Sequence, residues 1–139
     1  MNDTEGTPHF SLAILHAAQT ISDRMEEALG TVGLSVAKQS ALTKLAEAGE
    51  PLTLSELAAR LSCVRSNITQ LVDRLEGDGL VRRVADPADR RTVRAALTPL
   101  GVDKQLAGAA ELSRVQDDLA SRVSAADRAS LEGALGALG

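Results

Sequence analysis

The chain of 139 residues contains no tyrosine, no tryptophan and a single phenylalanine, Phe10. Proteins that grip single-stranded nucleic acid stack the bases on aromatic faces, and this chain has almost nothing to stack them on, so that class is excluded. A core without aromatics must be filled by small aliphatic side chains, and helices do this economically; alanine, leucine and valine make up most of the 44% apolar share. Cysteine is nearly absent too. Cys63 stands alone, which precludes an intrachain disulfide and fits a reducing, cytoplasmic setting. No apolar run approaches the roughly 18 residues of a membrane span, and the polar start, Met1 to Pro8, lacks the basic and apolar regions of a secretory leader. No nucleophile–base set, metal-ligand cluster or phosphate-binding glycine loop stands out, so neither enzymatic activity nor a cofactor is expected. Basic charge is outnumbered, 15 Lys+Arg against 19 Asp+Glu for a net of −4, which argues against a protein that coats nucleic acid indiscriminately.

What is present is helical periodicity over a length suited to one domain. Residues 1–8 read as a disordered start. From His9 to Leu29, Leu12, Leu15, Ala18, Ser22, Met25 and Leu29 recur at spacings of three and four, and Ile14, Ala17, Ile21 and Ala28 form a second apolar face. A helix apolar on two faces is buried on two faces, and in so small a chain a second subunit is a candidate to cover one of them. Ser35 can cap a helix running to Ala48 with Leu42 and Leu45 inward. Thr53 with Glu56 forms a capping-box pattern opening a short helix to about Leu61. Another helix runs from Val64 to Glu76 with Ile68, Leu71, Val72 and Leu75 inward. The period then falls to two: Leu80–Val84 and Thr92–Leu97 read as the strands of a hairpin around a polar turn. Thr98-Pro99 opens a helix to about Arg122, and Ser124 with Asp127 caps a last one holding Leu131, Leu135 and Leu138. The expected class is therefore mainly α with a small β-hairpin: a helix-turn-helix followed by a two-stranded wing.

Charge is not spread evenly over this order. Residues 60–94 hold eight arginines and five acids, a net of +3, whereas the remainder holds seven basic and fourteen acidic side chains, a net of −7. Every base in the middle is arginine, whose fork suits phosphates, guanine edges and narrow minor grooves. A basic run coinciding with a helix-turn-helix and a hairpin tip points to double-stranded DNA as partner. The alternative of a different class is a winged helix serving as a protein-interaction scaffold without DNA binding, which has no need of arginines at both places.

These residues resemble the MarR family of bacterial transcriptional regulators. The resemblance rests on Leu54-Ser55-Glu56-Leu57-Ala58, on Arg65-Ser66-Asn67-Ile68-Thr69-Gln70-Leu71-Val72-Asp73-Arg74-Leu75, and on Gly79-Leu80-Val81-Arg82-Arg83. It continues through Asp86-Pro87-Ala88-Asp89-Arg90-Arg91 and Leu97-Thr98-Pro99-Leu100-Gly101. The last two blocks are the most specific. The resemblance implies one domain over 9–139, with a winged helix-turn-helix at 35–98 and dimerisation helices at 9–34 and 99–139. It also implies a homodimer that binds a pseudo-palindromic operator, and a repressor that releases DNA when a small molecule or oxidant acts. Helix 64–76 would lie in the major groove, and the wing tip would reach the minor groove.

Residue by residue, Arg65, Ser66, Asn67, Thr69 and Gln70 occupy the first turns of that recognition helix. Asn67 and Gln70 suit adenine, Arg65 guanine, and Ser66 and Thr69 phosphate; capping or plain exposure is the other reading of the two hydroxyls. Arg74 reads either as a DNA contact or as a partner for Asp78 at i+4. Arg90 and Arg91 are the minor-groove candidates, and Asp89 is expected to orient one of them. Two departures from the family pattern, Val64 where a small hydroxyl residue is usual and Gln70 where a base is usual, bear on base preference. Cys63 reads as a packed structural thiol or as a redox switch, since the helix start and Arg65 both favour its thiolate. A Cys63–Cys63 bridge is excluded in a DNA-bound dimer whose recognition helices stand about 34 Å apart. His9 and His16 share a helix face without further metal ligands. An effector pocket between dimer helices and winged helix is implied by the resemblance, with His16 and Arg24 as the residues within reach.

Overall fold

The structure, a computed structural model, describes residues 7–62 and 65–139, with Thr7, Pro8, Arg65 and Ser66 described by their backbone alone. Of the expected disordered start at residues 1–8, Thr7 and Pro8 instead form the beginning of α1, and the rest lies outside the described residues. Chain order is α1 (Thr7–Gly30), α2 (Val36–Ala48), β1 (Leu52–Thr53), α3 (Leu54–Leu61), α4 (Arg65–Gly77), β2 (Val81–Ala85), β3 (Val93–Leu97), α5 (Pro99–Ser121) and α6 (Ala125–Gly136).

The helix starts follow from side chains that satisfy orphan N–H groups. Ser35 Oγ accepts from the Lys38 amide at 3.2 Å. Thr53 Oγ1 accepts from the Glu56 amide at 3.1 Å while Glu56 Oε2 accepts from the Thr53 amide at 2.9 Å, a complete capping box. Thr98 and Ser124 cap α5 and α6 in the same manner. The α2 helix stops at Gly49, whose φ of 68° lies in the left-handed region that glycine enters freely.

The wing differs from expectation by one strand. Its sheet has three strands in the order β1-β3-β2, all antiparallel, with Leu52 opposite Ala95 and Val81 opposite Leu97. Two-residue β1 leaves no period-2 signal to read, because the chain enters the capping box at once. Its effect is to tie the start of α3 to the wing.

The core lies inside the winged helix. Leu42, Leu57, Ile68, Val72, Leu75 and Val81 are fully buried there, joined by Leu29 from the end of α1. The expected inward faces of α2 and α4 are met, Leu71 being half-buried. Those of the outer helices are met only in part: Leu29 is buried and Met25, Leu112, Val115 and Leu119 half-buried, but Leu12 and Leu15 of α1, Leu106 of α5, Leu131 and Leu135 of α6 and Leu138 beyond it are exposed in the single chain. From Ser124 onward every residue is exposed.

Two close approaches fasten the outer helix α5 to this core. A Cβ on Gly108 would meet Gln39 Oε1 at 2.1 Å, so the missing side chain lets α5 close on α2. Buried Gln39 donates through Nε2 to the Gln105 carbonyl at 3.0 Å. At the start of α5, a Cβ on Gly101 would lie 1.9 Å from the Leu80 carbonyl oxygen. That carbonyl accepts from the Thr98 amide at 3.1 Å, and Thr98 Oγ1 donates to the Gly79 carbonyl at 2.6 Å. The Leu-Thr-x-x-Gly block is thus a joint where α4, wing and α5 meet.

Candidate nucleic-acid interface

The α3–α4 pair is the helix-turn-helix. Its turn begins at Ser62, the C-cap of α3, whose φ of 53° makes it the one non-glycine residue with positive φ among the described residues. That conformation costs about 1 kcal/mol in a side-chain-bearing residue. The N-cap question raised by Val64, and both readings of Cys63, lie outside the described residues. So do the side chains of Arg65 and Ser66, whose backbones form the first turn of α4.

On the rest of α4 the apolar pattern sends Ile68, Val72 and Leu75 into the core, which leaves Asn67, Thr69, Gln70 and Arg74 exposed. These four split into two sets. Asn67, Gln70 and Arg74 border a groove shared with Ala37 and Ser40 of α2. Thr69 borders a cleft between α4 and the wing, together with Thr53, Ser55, Thr92, Arg83 and Arg91. Arg74 has no ion pair with Asp78, contrary to one of its two readings. The Asp78 carboxylate instead takes Lys38 Nζ of α2 at 2.6 Å, because it stands past the end of α4 beside that helix.

The wing tip is held by its own carboxylates. Asp86 Oδ1 accepts from the Ala88 amide at 2.8 Å, and the Asp86 amide donates to the Thr92 carbonyl at 2.9 Å. Asp89 Oδ1 accepts from the Arg91 amide at 3.0 Å. The expected orienting role of Asp89 therefore falls on the backbone of the turn and not on a guanidinium. Both Arg90 and Arg91 are left exposed at the tip.

Two arginines, Arg83 and Arg94, complete the region with four acids, of which Glu56 also closes the capping box. Arg83, on β2, reaches α4: Nη2 donates to Asp73 Oδ1, Nη1 donates to Glu76 Oε1 at 2.9 Å, and its amide donates to Glu76 Oε2 at 2.9 Å. The hydrogen bond to Asp73 holds the guanidinium even further into its charged form than usual, with Glu76 adding to it. Arg94, on β3, binds Asp86 Oδ2 through Nε at 3.1 Å and Nη2 at 3.0 Å, and reaches Glu56 Oε2 at 3.4 Å through Nη1. The Asp86 carboxyl lies below its ordinary range, first because the Ala88 amide donates to it and then because Arg94 does. Glu56 is lowered likewise, chiefly by the Thr53 amide. The signal for these pairs was in the sequence, as acids three apart on α4 followed by arginines in the next strand, but a count of net charge conceals it.

The effector candidates separate. Arg24 pairs with Asp118 at 2.7 Å and borders a cleft between α1 and α5 with Glu27, Thr31 and Glu111. His16 is exposed on α1 and does not border that cleft. Among the described residues no helix is long and apolar enough to cross a membrane.

Comparison with known proteins gives a consistent pattern. The family model described as MarR family matches residues 34–93. An uncharacterized HTH-type transcriptional regulator of Bacillus subtilis, YsmB, is 36% identical over 89 residues, which are 64% of this chain and 60% of that protein's own length. The chain thus spans less than two thirds of that relative. Among solved structures, the transcriptional regulator BldR from Sulfolobus solfataricus is 30% identical, with a TM-score of 0.75 over 99% of this chain and 98% of that one. A mutant of MarR from Escherichia coli, solved in complex with operator DNA, is 22% identical; its TM-score of 0.82 over 99% of both chains speaks to the fold.

Proposed function

Because the chain belongs to the MarR family, we propose that it is a transcriptional regulator that binds a pseudo-palindromic operator in double-stranded DNA as a homodimer, acting as a repressor. The observation that carries this reading is the pairing pattern of the arginines. Arg83 and Arg94 are engaged by acids, while Arg74 on α4 and Arg90 and Arg91 at the wing tip have no ion pair among the described residues and stay exposed on the two elements that flank one cleft. Free guanidiniums on a helix and a loop suit a major groove and the adjacent minor groove. In this reading Arg65, Ser66, Asn67, Thr69, Gln70 and Arg74 contact DNA from α4, and Arg90 and Arg91 from the wing, with Asp89 shaping the turn.

The division into a winged helix at 35–98 and dimerisation helices at 9–34 and 99–139 is part of the same proposal. Its support is the set of exposed leucines on α1, α5 and α6, which a single chain leaves in water. A small-molecule effector is proposed for the cleft beside Arg24, since it lies between an outer helix and α5, which Gly101 and Gly108 hold close to the winged helix.

The test is binding to the duplex upstream of the protein's own gene, followed by fluorescence anisotropy across salt concentrations. The expected result is a shifted complex, with Arg90→Ala and Arg91→Ala each weakening binding to every sequence and flattening the dependence on salt. Absence of binding supports the protein-interaction alternative. Unchanged salt slopes in both variants remove the wing from the interface.

A further inference from the structure

We infer that Arg83 is a positioning residue which clamps the recognition helix to the wing and does not itself touch DNA; this rests on the DNA-binding reading above. Arg83 sits within the basic middle of the chain and would be counted among the phosphate contacts on charge alone. The geometry assigns it elsewhere. Its two terminal guanidinium nitrogens each donate to a different acid of α4, Nη2 to Asp73 and Nη1 to Glu76, while its own backbone amide donates to the second oxygen of Glu76. Three hydrogen bonds from one residue therefore join β2 to the C-terminal half of α4, all three to carboxylate oxygens and two of them from the charged guanidinium.

The location gives this clamp a consequence. Arg83 borders the cleft between α4 and the wing, with Thr69 on one side and Arg91 on the other. The distance between these two is the distance between a residue in the major groove and one at the minor groove. A duplex fixes that spacing, so a helix and a wing free to pivot must be ordered on binding, whereas a clamped pair is already set. The remaining acid of the region supports the same division of labour: Asp78 is held by Lys38 of α2, so Asp73, Glu76 and Asp78 are all tied to neighbouring elements. Arg83 is also only about a quarter exposed in its side chain, whereas Arg90 and Arg91 are exposed.

The experiment compares the full-length protein with Arg83→Gln, Arg83→Lys, Asp73→Asn and Arg91→Gln variants on a random-sequence duplex of about 30 base pairs. Affinity is measured by anisotropy over a salt series, and thermal unfolding is measured in parallel. Arg83→Gln is expected to lose about tenfold in affinity with the salt slope of the parent, and Arg91→Gln to lower that slope by about two per dimer. Arg83→Lys, with one donor cluster in place of a fork, falls between parent and Arg83→Gln. Asp73→Asn decides most sharply. Removing an acid from a DNA-facing helix strengthens binding if charge alone matters; here it weakens binding about threefold, and adds little in the Arg83→Gln background because both break the same clamp. A salt slope lowered by Arg83→Gln as much as by Arg91→Gln, or tighter binding by Asp73→Asn, overturns the clamp while leaving the DNA-binding reading intact. If the parent protein binds no duplex, the DNA-binding reading fails and the clamp has no role to play.

Discussion

Replacing Gly101 by alanine tests the joint between the wing and the outer helices. The added methyl would stand 1.9 Å from the Leu80 oxygen, 3.0 Å from its carbonyl carbon and 3.3 Å from Leu97 Cδ2. The first two are backbone atoms at the entry to β2, so no side-chain rotation relieves the contact. Relief requires α5 to withdraw, which strains the Thr98 amide bond to Leu80 and the Thr98 hydroxyl bond to Gly79. Overpacking of this kind costs about 1–3 kcal/mol, and each strained hydrogen bond adds about 1 kcal/mol. Alanine returns about 1 kcal/mol through its helix propensity. The net is a loss of about 2–4 kcal/mol, or about 8–16 °C in Tm for a chain of this size. Urea and thermal unfolding at one fixed protomer concentration measure it, since an oligomer's apparent stability moves with concentration. Gly30→Ala is the control: it ends α1, has a non-positive φ, and its Cβ would meet nothing within 4 Å. It should match or slightly exceed the parent. A Gly101→Ala protein within about 0.5 kcal/mol of the parent would falsify the close-approach argument.

Three further outcomes are expected. Asn67→Ala or Gln70→Ala should change sequence preference in a binding-site selection, each lost bidentate pair relaxing discrimination by about 1–3 kcal/mol at its position; a uniform loss across sequences removes them as base readers. Asp86→Asn should destabilise the protein at pH 7 and less at pH 3. The folded carboxyl is held low by the Ala88 amide and Arg94, so its contribution is present above the ordinary carboxylate value, about 4, and disappears as pH falls through the lowered one. Equal urea-midpoint gaps at the two pH values would contradict this. Leu131→Asp with Leu135→Asp on α6 should yield monomers in sedimentation with helical content retained, because neither side chain is buried in the single chain; a dimer that persists excludes α6 from the interface.

Local chemistry explains which parts of the fold could be read from the chain. Helix starts at Ser35, Thr53, Thr98 and Ser124 each depend on a hydroxyl and an amide three residues on, so they are written in adjacent residues. The inward faces of α2 and α4 follow from spacing alone. By contrast β1 exists because Leu52 and Thr53 meet Ala95 and Arg94, some forty residues distant, and no local pattern encodes that pairing. Apolar spacing on α1 and α6 marks faces that want cover without saying what covers them; within one chain the end of α1, at Met25, Ala28 and Leu29, is covered, and α6 stays exposed. The candidate site divides in the same way. Exposed residues of α4 and the wing tip follow from the helix period and the turn, whereas the partners of Asp78, Asp73 and Arg83 are tertiary facts. An i+4 rule pairs Asp78 with Arg74; the fold supplies Lys38 at 2.6 Å instead.

That last substitution of partners changes what the net charge of the middle segment means. Its +3 counts every arginine as equally available, yet the structure sorts them by neighbour. Arg83 and Arg94 are fastened with Asp73, Glu76, Asp86 and Glu56, so their charges are largely cancelled where they stand. Arg82 opens onto a groove with Leu45, Gly49 and Glu50, a different groove from the cleft between α4 and the wing. On the DNA-binding reading proposed above, the exposed arginines without an ion pair among the described residues of the helix-turn-helix and the wing tip are fewer than the sequence segment holds: Arg60 on α3, Arg74 on α4, and Arg90 and Arg91 at the tip. Long-range attraction depends on such local concentrations and on the sign of what surrounds them. On that reading the remainder of the chain, net −7, surrounds the arginine surface with acidic charge, which disfavours phosphate in other orientations. On the proposed reading, acidic residues then act twice: Asp73, Glu76 and Asp78 tie α4 and its end to neighbouring elements, and the acidic remainder of the chain disfavours misdocked encounters.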